Sequence, residues 1–191
     1  MYKDSKIYVA GHTGLLGTAL MKKLKADGYR NVIVRSHSQL DLTNRENVSE
    51  FFLTEKPEYV FLAAGKAGGI VSNKRQPSEY LHTNLAIQDS VFEAAQECGV
   101  KHLIFYGSSC CYPKICPQPM KEQYLLTGLP EETSEGYAIA KIAGIVTVNN
   151  VVAKAIKAGI IAPISAPETN IKTDLCSNNQ SIILFIFPTK F

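Results

Sequence analysis

A doubly wound α/β fold, a parallel sheet with helices on both faces, is predicted by three features of this chain. Four short apolar runs, residues 6–10, 31–35, 59–63 and 102–106, alternate with longer segments of helical spacing. The first run stops at Gly11-His12-Thr13-Gly14-Leu15-Leu16-Gly17, which leads directly into a helical segment. Late in the chain, Tyr137 and Lys141 stand four apart in an Ala/Ile-rich stretch. Alternating strand and helix calls for parallel pairing through crossover helices.

Taken in order, Lys6–Ala10 is a buried strand and Leu15–Lys25 a helix. The glycines between them permit a tight turn and close backbone approach, and the helix N-terminus offers N–H groups and partial positive charge. Together they predict a dinucleotide pyrophosphate site, as in Rossmann-type NAD(P)-binding folds. Gly28 ends this helix, and Asn31–Arg35 is the second strand. An NAD site places a carboxylate at the end of that strand, against the ribose hydroxyls. Here Arg35, Ser36 and His37 stand there instead. An arginine suits the 2′-phosphate of NADP, and the alternative is an ordinary solvent-facing arginine.

Asp41 and Leu42 follow, and Thr43-Asn44-Arg45-Glu46 has capping-box spacing for a helix to about Thr54 with Val48, Phe51 and Phe52 inward. Pro57 separates it from the strand Tyr59–Ala63, which ends in Ala64-Gly65, small residues that let the backbone close over a dinucleotide. Residues 66–76 read as a loop at the carboxyl edge of the sheet, where ligands of such folds sit. Pro77 opens a long amphipathic helix through Cys98, with Leu81, Leu85, Val91 and Ala95 inward and Gly99 as its stop. His102–Tyr106 is the fourth strand, and Ser108 at its end is placed to hydrogen-bond a substrate oxygen or to act only as a turn residue. Pro117, Pro119, Gly128 and Pro130 mark residues 114–135 as a loop long enough to be functional. The last helix runs from Gly136 to about Ala158. Residues 159–164 offer one more strand, and Ile182–Phe187 either pairs as an edge strand or forms an exposed tail.

Composition narrows the functional classes. The 191 residues suffice for one domain with a sizeable core, expected over residues 1–165, with an irregular tail over 166–191. A net charge of +3, unclustered, gives no case for nucleic acid or a membrane surface as partner. The apolar run at 182–187 is too short to span a bilayer. Five cysteines without metal-ligand spacing, and a polar start without a leader, point to the reducing cytoplasm and to no metal.

The chemistry centres on Tyr137 and Lys141, which share a helix face one turn apart. A free phenol titrates near ~10, too high for acid–base work at neutral pH. A neighbouring ammonium favours the phenolate and brings it into range. Tyr-x-x-x-Lys also arises by chance on helices, so the pair gains meaning only beside Gly11, Gly14, Gly17 and Ser108.

That ordered constellation resembles the extended short-chain dehydrogenase/reductase family and, more narrowly, its GDP-L-fucose synthase branch. These are NADPH-dependent 3,5-epimerase/4-reductases of GDP-4-keto-6-deoxymannose. The likeness rests on residues 11–17 (GHTGLLG), 62–73 (LAAGKAGGIVSN), 107–119 (GSSCCYPKICPQP) and 135–145 (EGYAIAKIAGI), and covers roughly residues 5–145. It implies that Ser108, Tyr137 and Lys141 form a reductase triad and that Cys110 is the epimerisation base. The cofactor set is Gly11, Gly14, Leu15, Gly17, Arg35, Asp41, Leu42, Ala63 and Ala64, joined by Tyr137 and Lys141. A nucleotide sugar is the implied substrate, and helices 77–98 and 136–158 suit a homodimer. Where many members carry an arginine in the glycine loop, this chain has Thr13, and the family's distal histidine has no counterpart. Members are much longer, so the chain is expected to be a truncated or frame-altered product or a diverged paralogue. The alternative function is a catalytically incomplete dinucleotide-binding module that pairs with full-length subunits. A sugar 4-epimerase or dehydratase is disfavoured by the Ser-Ser-Cys segment, because those chemistries need no thiol there.

Overall fold

The computed structural model describes residues 1–157 and 181–185. Its strands are β1 (Ile7–Ala10), β2 (Val32–Ile33), β3 (Tyr59–Leu62), β4 (His102–Tyr106) and β5 (Ser181–Phe185). Its helices are α1 (Leu15–Ala26), α2 (Arg45–Glu55), α3 (Ile70–Arg75), α4 (Pro77–Glu97) and α5 (Glu135–Lys157). The strands form one sheet in the order β2-β1-β3-β4-β5, and every pair is parallel. From β1 the chain moves to one side to make β2, then crosses to the other side to make β3. That reversal opens a crevice at the carboxyl ends of β1 and β3, where ligands of open α/β sheets bind.

Both faces of the sheet are covered, which is why its strands read as unbroken apolar runs. Strand alternation sends Ile7, Val9, Phe61, Ile104 and Tyr106 to one face, against Leu16, Leu20 and Leu24 of α1. Tyr8, Val60, Leu62, Leu103 and Phe105 take the other face, with Phe52, Val91 and Ile145 from α2, α4 and α5. Tyr8, Phe52 and Phe105 are almost wholly buried. Side chains of that size contribute about 1.5–3 kcal/mol each on burial.

Helix ends explain the boundaries. Both α1 and α4 close with Schellman motifs. Tyr29 and Val100 N–H reach back to the Leu24 and Ala95 carbonyls, while Gly28 and Gly99 N–H bond those of Lys25 and Gln96. Pro77 opens α4, where its missing N–H is harmless.

Several expectations are corrected. The cap of α2 is Asn44, whose Oδ1 accepts from Asn47 N–H at 3.0 Å, one residue later than the Thr43 box implied. Thr43 instead donates to Asp41 Oδ1 through both its N–H and its hydroxyl. Residues 66–76 are not all loop, because α3 lies within them. Leu81 and Leu85 are only half-buried. The inward face of α4 is Tyr80, Asn84, Ile87, Gln88 and Val91, rotated so that two amides enter the interior. The second strand pairs over two residues, not five. Residues 181–185 pair as the edge strand β5 alongside β4. The strand expected at 159–164 and the domain limit at residue 165 lie outside the described residues. Among the described residues, no helix is long and apolar enough to cross a membrane.

Candidate active site

The glycine turn seats the start of α1 against the exit of β3. Gly11 has φ +82°, and a Cβ there would lie 2.6 Å from Ala64 N and 2.8 Å from the Ala63 carbonyl carbon. A Cβ on Gly17 would run into the Gly11 carbonyl oxygen. Only glycine permits this stacking of two chain segments. Gly14 precedes α1 without a side-chain cap, and the first turn carries no acid. The N–H groups of that turn therefore keep their capacity for an anion. Leu15 is almost fully exposed at the mouth, and Ala63 and Ala64 are half-buried beside it. The cradle fits a dinucleotide pyrophosphate.

One strand further along, α5 carries Tyr137 and Lys141 to the end of β4. Lys141 is 5% exposed, and its Nζ donates to the Tyr106 carbonyl at 3.0 Å. The ammonium lies 4.6 Å from the Phe105 ring centre and 5.9 Å from that of Tyr137. Burial lowers its pKa to about 8, with Cys111 acting in the opposite direction. It also borders the exit of β3, since a Cβ on Gly65 would be 3.8 Å from Nζ.

Ser108 caps the 3₁₀ turn Ser109–Cys111, its Oγ accepting from Cys110 N–H at 3.3 Å. It thus fills a turn-capping role, with its oxygen also within hydrogen-bonding reach of Tyr137. Tyr137 titrates above the ordinary phenol range, chiefly through burial and then through the nearby Cys110, while a hydrogen bond with Ser108 pulls it back. The expected depression by Lys141 is absent here, because that ammonium is directed at Tyr106 and Phe105. Tyr137 thus stands as a protonated phenol, a donor rather than a base. Cys110 is half-buried, whereas Cys111 is buried with its thiol pushed up to about 11 by desolvation. A turn, not continued strand alternation, separates the two. Cys98, Cys110, Cys111 and Cys116 are free thiols.

The remaining expected cofactor residues are Arg35, Asp41 and Leu42, and each has partners within the chain. The Arg35 guanidinium faces α2, with Nη2 2.6 Å from Glu55 Oε1. The Asp41 carboxylate is engaged by Thr43 and sits low in pKa for that reason. Leu42 is buried, and its carbonyl accepts from Ser90 Oγ.

Sequence reasoning missed Asn84. It is 1% exposed, and its amide accepts from Lys66 N–H at 3.0 Å and donates to Lys66 O at 2.9 Å and Tyr80 O at 2.7 Å. The Gly65–Lys66 segment is thereby clamped beside Lys141. A polar residue at an inward helical position was the available signal.

Residues 7–166 match the family described as the NAD dependent epimerase/dehydratase family. The chain is 54% identical over 143 residues to "Putative GDP-L-fucose synthase 2" of Arabidopsis thaliana, covering 75% of this chain and 44% of that protein. It is 42% identical over 140 residues to the GDP-L-fucose synthase of Escherichia coli (strain K12), covering 73% and 44%. The chain thus spans under half the length of the curated relatives it matches. Among solved structures, "DdhaC" superposes with TM-score 0.79 at 45% identity, over 81% of this chain and 44% of that one. The Campylobacter jejuni GDP-mannoheptose C4 reductase MlghC, solved with NADP bound, gives TM-score 0.77 at 38% identity, over 84% and 50%.

Proposed function

Because the chain belongs to the NAD dependent epimerase/dehydratase family, we propose that it carries the NADPH-binding and proton-transferring part of a GDP-sugar epimerase/reductase. The reaction is conversion of GDP-4-keto-6-deoxymannose to GDP-L-fucose. The observation that carries this reading is the gathering of Ser108, Cys110 and Tyr137 at the end of β4, with Lys141 buried behind them. The chain's similarity to GDP-L-fucose synthases of Arabidopsis thaliana and Escherichia coli supports the sugar assignment.

The Gly11–Gly17 turn and the first N–H groups of α1 hold the pyrophosphate, and Ala63 and Ala64 wall the crevice. Lys141, still mostly ammonium at neutral pH, presents a charge anchored on the Tyr106 carbonyl to the ribose hydroxyls. NADPH, when bound, supplies the hydride for C4 of the sugar. Tyr137, half-buried and shifted above the ordinary phenol range, is protonated at neutral pH and delivers that proton from the phenol oxygen to the C4 oxygen. Ser108 steadies that oxygen by hydrogen bonding. Cys110, more accessible than Cys111, takes the proton from the carbon beside the ketone as a thiolate. The enolate so formed is reprotonated on its opposite face by the distal histidine that the family resemblance implies and this chain does not carry.

The test joins residues 1–145 of this chain to the remaining part of the Escherichia coli relative. The chimera is expected to oxidise NADPH only in the presence of GDP-4-keto-6-deoxymannose. Tyr137→Phe should lower kcat at least about a hundredfold, the scale of lost general acid catalysis. A correctly folded chimera that binds NADPH yet leaves this sugar untouched would refute the substrate assignment.

A further inference from the structure

Arg35 is the cation nearest the end of β2, yet Glu55 and Phe51 of α2 hold its guanidinium against that helix. Nη2 pairs with Glu55 Oε1 at 2.6 Å, and Nη1 donates to the Val34 carbonyl at 2.8 Å. The guanidinium carbon lies 5.2 Å from the Phe51 ring centre, and its charge partly offsets the upward shift that burial gives the Tyr8 phenol. Glu55 is shared: its other oxygen is 2.8 Å from Lys6 Nζ. These three side chains are between a fifth and a third exposed, so water and phosphate reach the cluster.

The sharing has a consequence. If Arg35 turns toward a ligand, Glu55 keeps Lys6 as its counterion and is not left an unpaired, half-buried carboxylate. Departure of Arg35 is therefore cheaper than breaking an isolated pair. We infer that Glu55 sets the chain's discrimination between NADPH and NADH by competing with the cofactor's 2′-phosphate for Arg35. This rests on the assignment of Arg35 to that phosphate. Glu55 is a specificity-determining residue that need not touch the cofactor. It holds the competent orientation of Arg35 to a fraction of the population, and NADPH affinity falls by that fraction while NADH affinity does not. Lys6 acts with opposite sign, since it draws charge from Glu55 and loosens its hold on Arg35.

The experiment titrates the full 191-residue chain with NADPH and, separately, with NADH, following nicotinamide fluorescence. A partly exposed ion pair restrains its partner by roughly two- to fivefold. Glu55→Gln is expected to tighten NADPH by that factor and Lys6→Met to weaken it similarly, both leaving NADH unchanged. The NADH titration doubles as the folding control, because it reads the same cradle without the phosphate. Arg35→Ala should abolish the preference for NADPH. If Arg35→Ala leaves the preference intact, the phosphate assignment falls and this inference with it. If Arg35→Ala abolishes it but Glu55→Gln changes nothing, or moves both nucleotides alike, only the role of Glu55 is overturned. Absence of binding by either nucleotide overturns both.

Discussion

Lys141→Met should make the protein more stable at neutral pH, and the gain should disappear in alkali. The ammonium lies 95% out of water, and burial brings its pKa from 10.5 to about 8. Between those values the unfolded chain binds more protons than the folded one, so wild-type stability rises with pH across that window. Below it both states are protonated and the folded state bears the full penalty. That penalty is about 3 kcal/mol at about pH 7, and falls to about 1.4 kcal/mol by about pH 9.5. Methionine fills a similar volume without charge, but it forfeits the hydrogen bond to the Tyr106 carbonyl, about 1 kcal/mol. The expected net is a stabilisation of about 2 kcal/mol at neutral pH that shrinks to a few tenths near about pH 9.5. Urea unfolding of both proteins at these two pH values measures it, provided the slopes agree. A difference that does not change with pH, or a clear loss of stability at neutral pH, would refute the burial argument.

The other expectations concern thiols and the glycine turn. Iodoacetamide at neutral pH should label Cys110 ahead of both Cys111 and Cys98, whose thiols burial pushes up. Peptide mapping that finds Cys111 first would show that the turn at 109–111 is not as described. Gly17→Ala drives a Cβ into the Gly11 carbonyl oxygen. It should lower stability by about 1–3 kcal/mol and weaken NADPH binding together, and a denaturation midpoint equal to wild type would contradict the close packing of α1 on β1.

What the sequence disclosed is what local pattern encodes. The strands at 6–10, 59–63 and 102–106 are apolar on both faces, and the glycine spacing fits one kind of junction. The four-residue step from Tyr137 to Lys141 needs only a helix to be meaningful. Each of these is decided within a few residues. The second strand was overextended because Val34 continues the apolar run of Val32 and Ile33 up to Arg35. Yet β1 offers partners only to Val32 and Ile33. The inward set Leu81, Leu85, Val91 and Ala95 left out Asn84 and Gln88, which break the apolar stripe. Asn84 is inward because the loop after β3 brings the Lys66 N–H and carbonyl against it.

The direction of each charged side chain was the least legible property, and it decides the chemistry. Arg35 was assigned to a phosphate from its place after β2, but Glu55, twenty residues on, determines where it points. Lys141 was assigned to the phenol of Tyr137, but its hydrogen bond goes to a backbone carbonyl, which no residue identity advertises. Tyr137 consequently departs in the opposite sense from the expectation, upward through burial. Burial raises Tyr137 and lowers Lys141, so it drives the two titrations apart. At neutral pH the phenol carries its proton and the lysine, though lowered, is still mostly ammonium.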